Sequence, residues 1–244
     1  MIKLFGFGGA FGVVDPSPFV MKVDAFLRIS GLPYQYIGNP NALRRAPKKK
    51  LPVIDDGGKI VADSYFIMEY LKDKYQLDID KHLTSEQQGL CHLLTKSLDE
   101  NFYWCLVYSR WIREDTWPLI KSKLFGGMPP IMKQIIPPLI RRGVRKTLHQ
   151  HGIGRHNENE MLQIFEHSLQ SLQKVLGNKP YFFGEKISSF DAAAFGMLAS
   201  FIVVEIDNPY NQLARSYQPL VDFCHRVQAA YYQSNSQPEL ANAG

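Results

Sequence analysis

The hydrophobic pattern of this chain changes character near residue 80. Before that point, short β-branched and aromatic stretches alternate with amphipathic ones; after it, only helical spacing remains. "IKLFGF" predicts a strand, Pro18 to Ser30 a helix and "PYQYIG" a second strand. "PVIDD" and "KIVAD" predict a strand pair joined at Asp56-Gly57-Gly58, and Ser64 to Lys74 a further helix. The polar connector "QLDIDKHLTSEQ" then leads into helical text. A small α/β unit followed by an all-α unit is therefore expected, with residues 1–76 and 85–235 as the two domains, 77–84 as linker and 236–244 as tail.

Several function classes drop out at this level. The longest strongly apolar run, Ala192 to Val204, is thirteen residues. Crossing a bilayer takes about 20, so this run predicts a buried helix. The N-terminal apolar stretch is broken by glycines and ends at Asp15-Pro16 without a small-x-small cleavage site, which fits a strand and loop rather than a signal peptide. Cys91, Cys105 and Cys224 are far apart and lie among apolar residues, as expected of reduced, buried thiols; no metal site is expected.

The net charge of +5 is unevenly spread. Thr116 to Asn157 contains no Asp or Glu but holds Lys121, Lys123, Lys133, Arg141, Arg142, Arg145, Lys146 and Arg155, leaving the rest of the chain net acidic. The same segment carries Gly126-Gly127, Pro129-Pro130 and Pro137-Pro138, which predict a helix broken into pieces. Its interleaved Ile131, Met132, Ile135, Ile136, Leu139 and Ile140 are expected to pack into the helical unit. That leaves at most weak, salt-sensitive contact with anionic membranes, and a soluble, cytoplasmic protein. No nucleic-acid reading motif is present.

The densest run of signals is "KKKLPVIDDGGKIVADSYFIMEY" (Lys48 to Tyr70). With "SPFVMKVDAFLRISGLPY" upstream and "FFGEKISSFDAAAFGMLA" downstream, the chain resembles the cytosolic glutathione transferase superfamily over nearly its full length. "NFYWCLVYSRW" and "GIGRHNENE" further resemble the branch containing failed axon connections and metaxin-like proteins. The resemblance implies a thioredoxin-like N-terminal domain, an all-helical C-terminal domain, a homodimer and glutathione as co-substrate.

It also implies a set of roles. The Leu51-Pro52 bond is expected to be cis, with the Leu51 backbone offered to glutathione as if to another strand. Ser64, at a helix start, is expected to receive the γ-glutamyl carboxylate, Asp63 the ammonium and Lys50 the glycyl carboxylate. Asp63 stands where the family more often has Glu or Gln. Ser17 aligns with the family's active Ser or Cys, its hydroxyl donating to the glutathione thiolate. Val20 stands where redox-active relatives carry a second Cys, so disulfide exchange is not expected.

Simpler readings stand beside these. Ser17 ahead of Pro18, and Asp63-Ser64, are also what plain helix caps look like. Lys50, in a run of three lysines, also fits a solvated face. Trp104, Tyr108 and Trp111 share one helix face, with Tyr103 beside it; they fit either core or a pocket for a small apolar electrophile. Ser188 and Asp191 match the family's buried capping motif and are assigned to folding. Arg155, His156 and Glu160 form a polar cluster without a second metal ligand at matching spacing. Two functions follow from the resemblance: a glutathione-dependent transferase of alkyl or aryl groups, or a non-catalytic binding and adaptor protein of the metaxin-like type, associated with a membrane surface.

Overall fold

The computed structural model describes residues 1–232, so the final residues of the expected helical domain and the tail 236–244 lie outside the described residues. Four strands, β1 (Ile2–Gly6), β2 (Tyr34–Gly38), β3 (Val53–Asp56) and β4 (Lys59–Ala62), form one mixed sheet in the order β2-β1-β3-β4. β1 and β2 are parallel and therefore need a crossover, which α1 (Pro18–Ile29) supplies; β3 pairs antiparallel with both neighbours. The β3–β4 hairpin turns on Gly57 and Gly58, both at positive φ, where a side chain would be strained.

A short helix α2 (Ala42–Arg45) precedes β3, and α3 (Ser64–Lys74) follows β4. The helical unit opens with α4 (Ser85–Ser97), started by a reciprocal capping box between Thr84 and Gln87. A π-helical turn, Leu98–Phe102, joins it to α5 (Tyr103–Trp111). Then come α6 (Trp117–Phe125), α7 (Pro130–His151), a 3₁₀ turn at Ile153–Arg155, α8 (Glu158–Leu176), α9 (Ser189–Ile202), α10 (Pro209–Arg215) and α11 (Gln218–Tyr231). This is a thioredoxin-like domain followed by an all-α domain.

The thirteen-residue apolar run lies mostly in α9, every residue of which is buried. Helix α1 crosses it so closely that a Cβ on Gly196 would lie 2.7 Å from the Lys22 nitrogen and the Pro18 oxygen. At the N-terminus of α9, Asp191 accepts hydrogen bonds from the Ser188 N–H and hydroxyl, both 2.7 Å, and from the Phe182 N–H at 2.9 Å. The two domains also share a buried ion pair, Lys22 Nζ to Asp99 Oδ2 at 2.9 Å. Burial drives the Lys22 pKa down and the Asp99 pKa up, and the opposite charge of each partner resists the change. All three cysteines are buried and unbridged; burial pushes the Cys91 thiol up to about 11 and Cys105 up to about 12.

Two expectations for the basic segment are corrected. α7 runs unbroken for 22 residues with Pro137 and Pro138 inside it. Pro130 stands in its first turn, where no N–H is needed, and the two interior prolines give up their own N–H bonds without ending the helix. Nor do the interleaved apolar residues pack inward: Ile131, Met132, Ile135, Leu139 and Ile140 are exposed. The inner face is built instead from Pro137 and Leu148, which occupy a different side of the helix.

Candidate functional site

The strand register gathers the expected site at one end of the sheet. Phe5, Val53 and Ala62 stand in one row across β1, β3 and β4. One step beyond that row, β1 runs on toward Ser17, β3 is entered through Leu51-Pro52, and β4 leads into Asp63-Ser64. The Asp63 N–H donates to the Pro52 carbonyl at 3.4 Å, tying two of these segments together.

The Leu51–Pro52 peptide bond is cis. Among the described residues, no hydrogen-bond partner faces the Leu51 N–H or C=O. Asp63 has φ +85, a backbone conformation costly for any residue but glycine, and its carboxylate accepts from the Tyr65 N–H at 3.0 Å. The N–H groups of Ser64 and Phe66 and the Ser64 hydroxyl have no partner among the described residues. These donors sit at the positive end of α3, suited to a carboxylate.

Lys50 is exposed and has no ion-pair partner among the described residues. The lysine that does approach is Lys48, with Nζ 3.9 Å from Asp63 Oδ2 and 4.4 Å from the Phe66 ring centroid. A run of identical residues does not tell which lysine approaches.

Ser17 caps α1: its Oγ accepts from the Val20 N–H at 3.4 Å, a long bond that leaves the hydroxyl proton free to donate. What holds Ser17 in place is a buried group that the sequence reading passed over. Asp15, fully buried, accepts from the Ser17 N–H at 2.7 Å, the Phe7 N–H at 2.6 Å and the Tyr36 hydroxyl at 2.7 Å. Burial pushes the Asp15 carboxyl up to about 7, against the lowering effect of these donors. From the helical domain, Arg110 donates to the Pro16 carbonyl at 2.5 Å and to the Ser200 carbonyl at 2.9 Å. Its own pKa is brought down by burial to about 10. The Ser17 loop is thus held from both sides. The signals available were Asp beside Pro in an otherwise apolar segment and an Arg inside an aromatic helix; neither discloses its partner.

The aromatic residues of α5 do not line one shared pocket. Tyr103 meets Phe19 at 4.7 Å between ring centroids, on the Ser17 side. Trp104 lies 4.7 Å from His151, Tyr108 faces Tyr210 at 6.2 Å, and Trp111 packs on Trp117 at 5.6 Å. A cavity of about 420 Å³ opens instead between α3 and α4, lined by Lys22, Tyr65, Lys72, Asp80 and His92 among others. None of Ser17, Lys50, Leu51, Pro52, Asp63 and Ser64 lines it. His156 Nδ1 lies 3.4 Å from Glu160, which also completes the capping box of α8 with Asn157; among the described residues no group suited to holding a metal appears.

Comparison with known proteins agrees with this fold. Residues 18–116 match the glutathione S-transferase N-terminal domain and residues 165–227 the glutathione S-transferase C-terminal domain. The chain is 28% identical to the isoprene-epoxide–glutathione S-transferase of Rhodococcus sp., covering 95% of this chain and 99% of that protein. It is 27% identical to failed axon connections of Drosophila melanogaster, spanning 80% of this chain but only 48% of the relative. It is 23% identical to human metaxin-2, over 91% and 84% of the two chains. Among solved structures, the β-etherase LigF from Sphingobium sp. superposes with a TM-score of 0.65 at 19% identity, covering 95% of this chain and 97% of that one, a likeness of fold.

The metaxin kinship overturns the cytoplasmic placement expected from the sequence. That expectation rested on reduced thiols, the lack of a long apolar run and the inward packing expected of Ile131 to Ile140, the last of which the exposed side chains of α7 contradict. The first two do not separate a free protein from one held at a membrane surface. No helix among the described residues is long and apolar enough to cross a membrane.

Proposed function

Because the chain belongs to the glutathione S-transferase superfamily, we propose that it binds glutathione at the sheet end bounded by Leu51, Asp63 and Ser64, and joins the glutathione thiolate to a small apolar electrophile. The observation carrying this reading is the convergence there of the Leu51 N–H and C=O and the Ser64 and Phe66 N–H groups of the α3 N-terminus, none of which has a hydrogen-bond partner among the described residues. The Leu51 N–H and C=O take the peptide as an added strand. Ser64 and the start of α3 hold the γ-glutamyl carboxylate, Asp63 the ammonium, and Lys48 or Lys50 the glycyl carboxylate. Ser17 donates its hydroxyl proton to the sulfur and so favours the thiolate, the reactive form.

For an epoxide, the electrophile named for the Rhodococcus relative, the thiolate forms a carbon–sulfur bond as the ring carbon–oxygen bond breaks. The released alkoxide takes a proton from water. In this reading the electrophile meets the rings of Phe19 and Tyr103, which touch each other. The protein acts as a homodimer in this reading, as the family resemblance implies.

Titration calorimetry tests the binding step. Glutathione is expected to bind with micromolar to millimolar affinity. Ser64→Ala removes one hydrogen bond to a charged group, worth about 1.5–3 kcal/mol, so affinity should fall about 10- to 150-fold. Absence of heat up to about 10 mM glutathione, already a weak-ligand range, would count against the proposal. An unchanged affinity in Ser64→Ala would place the carboxylate elsewhere.

A second reading has its own observation: Trp104, Tyr108 and Trp111 are each packed on a different neighbour, so α5 offers little for an acceptor substrate. With metaxins among the relatives, the fold would then serve as a binding or adaptor protein without turnover. The two readings separate on the behaviour of Ser17 variants.

A further inference from the structure

The acid-free segment folds into α6 and α7, and among the described residues nothing covers the outer side of this helix pair. Along α7, Ile131, Ile135 and Leu139 stand at i, i+4 and i+8, one ridge of the helix. Ile131 is 74% exposed and Leu139 61%. Met132 beside this ridge, and Leu119 and Leu124 of α6, are exposed as well. The same ridge continues at Arg142 and Lys146, both exposed. Along α7 this ridge is therefore apolar in its first half and basic beyond it.

The charge accounting sharpens this division. Arg141 and Arg145 are taken up by Glu114, with bonds of 3.0 and 2.8 Å, and Arg141 also bonds the Trp111 and Ile112 carbonyls. They fasten α7 to the end of α5. The neighbouring Asp115 is paired with Arg113 at 2.5 Å, and Arg113 also pairs with Glu158. Lys121, Lys123, Lys133, Arg142 and Lys146 have no ion-pair partner among the described residues. No acidic residue lies between Thr116 and Asn157 to oppose them.

We propose that the α6–α7 helix pair docks on an anionic lipid bilayer, with Ile131, Met132, Ile135 and Leu139 entering the interface and the unpaired lysines and Arg142 meeting the headgroups. A projecting apolar ridge backed by uncompensated positive charge is complementary to such a surface, which is apolar within and negative at its face. Protein hot spots, by contrast, centre on Trp, Tyr and Arg seated in pockets. Here Trp117 and Phe125 are turned inward, and the exposed apolar side chains are aliphatic. With no described helix able to span a bilayer, the mode is binding in the plane of the interface. The proposal is independent of the glutathione site.

Flotation of the full chain with vesicles of phosphatidylcholine, alone or with phosphatidylserine, tests it. Wild type is expected to partition at least about tenfold more strongly onto the anionic vesicles, as several Lys and Arg near such a surface require. Raising salt from about 0.1 M to about 1 M shrinks the Debye length from about 10 to about 3 Å. Binding should weaken but persist, because the apolar part is not screened. The triple variant I131D/I135D/L139D should bind about 10- to 100-fold less at either salt, since each exposed apolar side chain lost removes buried area from the bound state. R142E/K146E should lose the preference for anionic vesicles while keeping its fold. Should the triple variant fail to fold, Ile135→Asp alone and R142E/K146E carry the test.

Equal flotation of wild type and the ridge variants overturns the proposal, as does absence of wild-type flotation. A ridge variant that changes oligomeric state while keeping vesicle binding would assign the face to a protein contact instead and equally overturn it.

Discussion

Asp15→Ala is expected to lower stability by about 3–5 kcal/mol and to abolish any chemistry that depends on Ser17. The carboxylate is fully buried and accepts from two backbone N–H groups and the Tyr36 hydroxyl. Each buried donor left without an acceptor costs about 1–3 kcal/mol. The total stays below the sum because water can enter the vacated space. Urea denaturation should show a lower midpoint at unchanged slope; a loss under 1 kcal/mol would mean the three donors find other partners.

The same residue sets a pH dependence. Its folded-state pKa is raised by burial from 3.8 to about 7. The folded state therefore holds the proton more tightly than the unfolded one. Stability from this group is fully present below about pH 4, falls as pH rises toward about 7, and is flat beyond, with a slope of at most about 1.4 kcal/mol per pH unit. Asp15→Asn cannot titrate. It also turns an amide N–H toward a backbone donor, so it should be less stable but lack this slope. Identical pH profiles for wild type and Asp15→Asn would show that folding does not shift the Asp15 pKa.

How much of this was legible in the sequence depended on the range of the interaction. Ser17 before Pro18, the Gly57-Gly58 turn, the Ser188 cap and the alternation of β1 to β4 are local devices, decided within a few residues. The placement of Leu51, Asp63 and Ser64 at one sheet end follows from strand register, and here it was expected from the family resemblance. The Asp15 clamp was not legible. Tyr36 and Arg110 stand 21 and 94 residues from the positions they bond, Asp15 and Pro16, and nothing local marks them as partners. Pro137-Pro138 misled because prolines are strong local breakers, whereas α7 runs on through them with Pro137 buried. The exposed ridge of α7 misled for a related reason: apolar spacing reveals a face, not what covers it.

Ser17→Ala is expected to cut turnover about 10- to 100-fold while leaving glutathione affinity nearly unchanged. The hydroxyl acts on the sulfur, whereas the anchors for the ends of the peptide are at Leu51, Asp63 and Ser64. A hydrogen bond to a charged group is worth about 1.5–3 kcal/mol. Losing it should raise the thiol pKa of bound glutathione by about 1–2 units at 1.36 kcal/mol each, a change read directly from thiolate ultraviolet absorbance. The capping role must be separated from the chemical one, because the Val20 N–H loses its acceptor in the same variant. Ser17→Gly does this: glycine at a cap costs only a few tenths of a kcal/mol, against about 1 for alanine. If turnover and thiol pKa shift equally in the two variants while stability falls more in Ser17→Ala, the hydroxyl and not the cap carries the activity. If the thiol pKa of bound glutathione is the same in wild type and both variants, Ser17 is a cap alone. The fold then holds glutathione without activating it, as the adaptor reading requires.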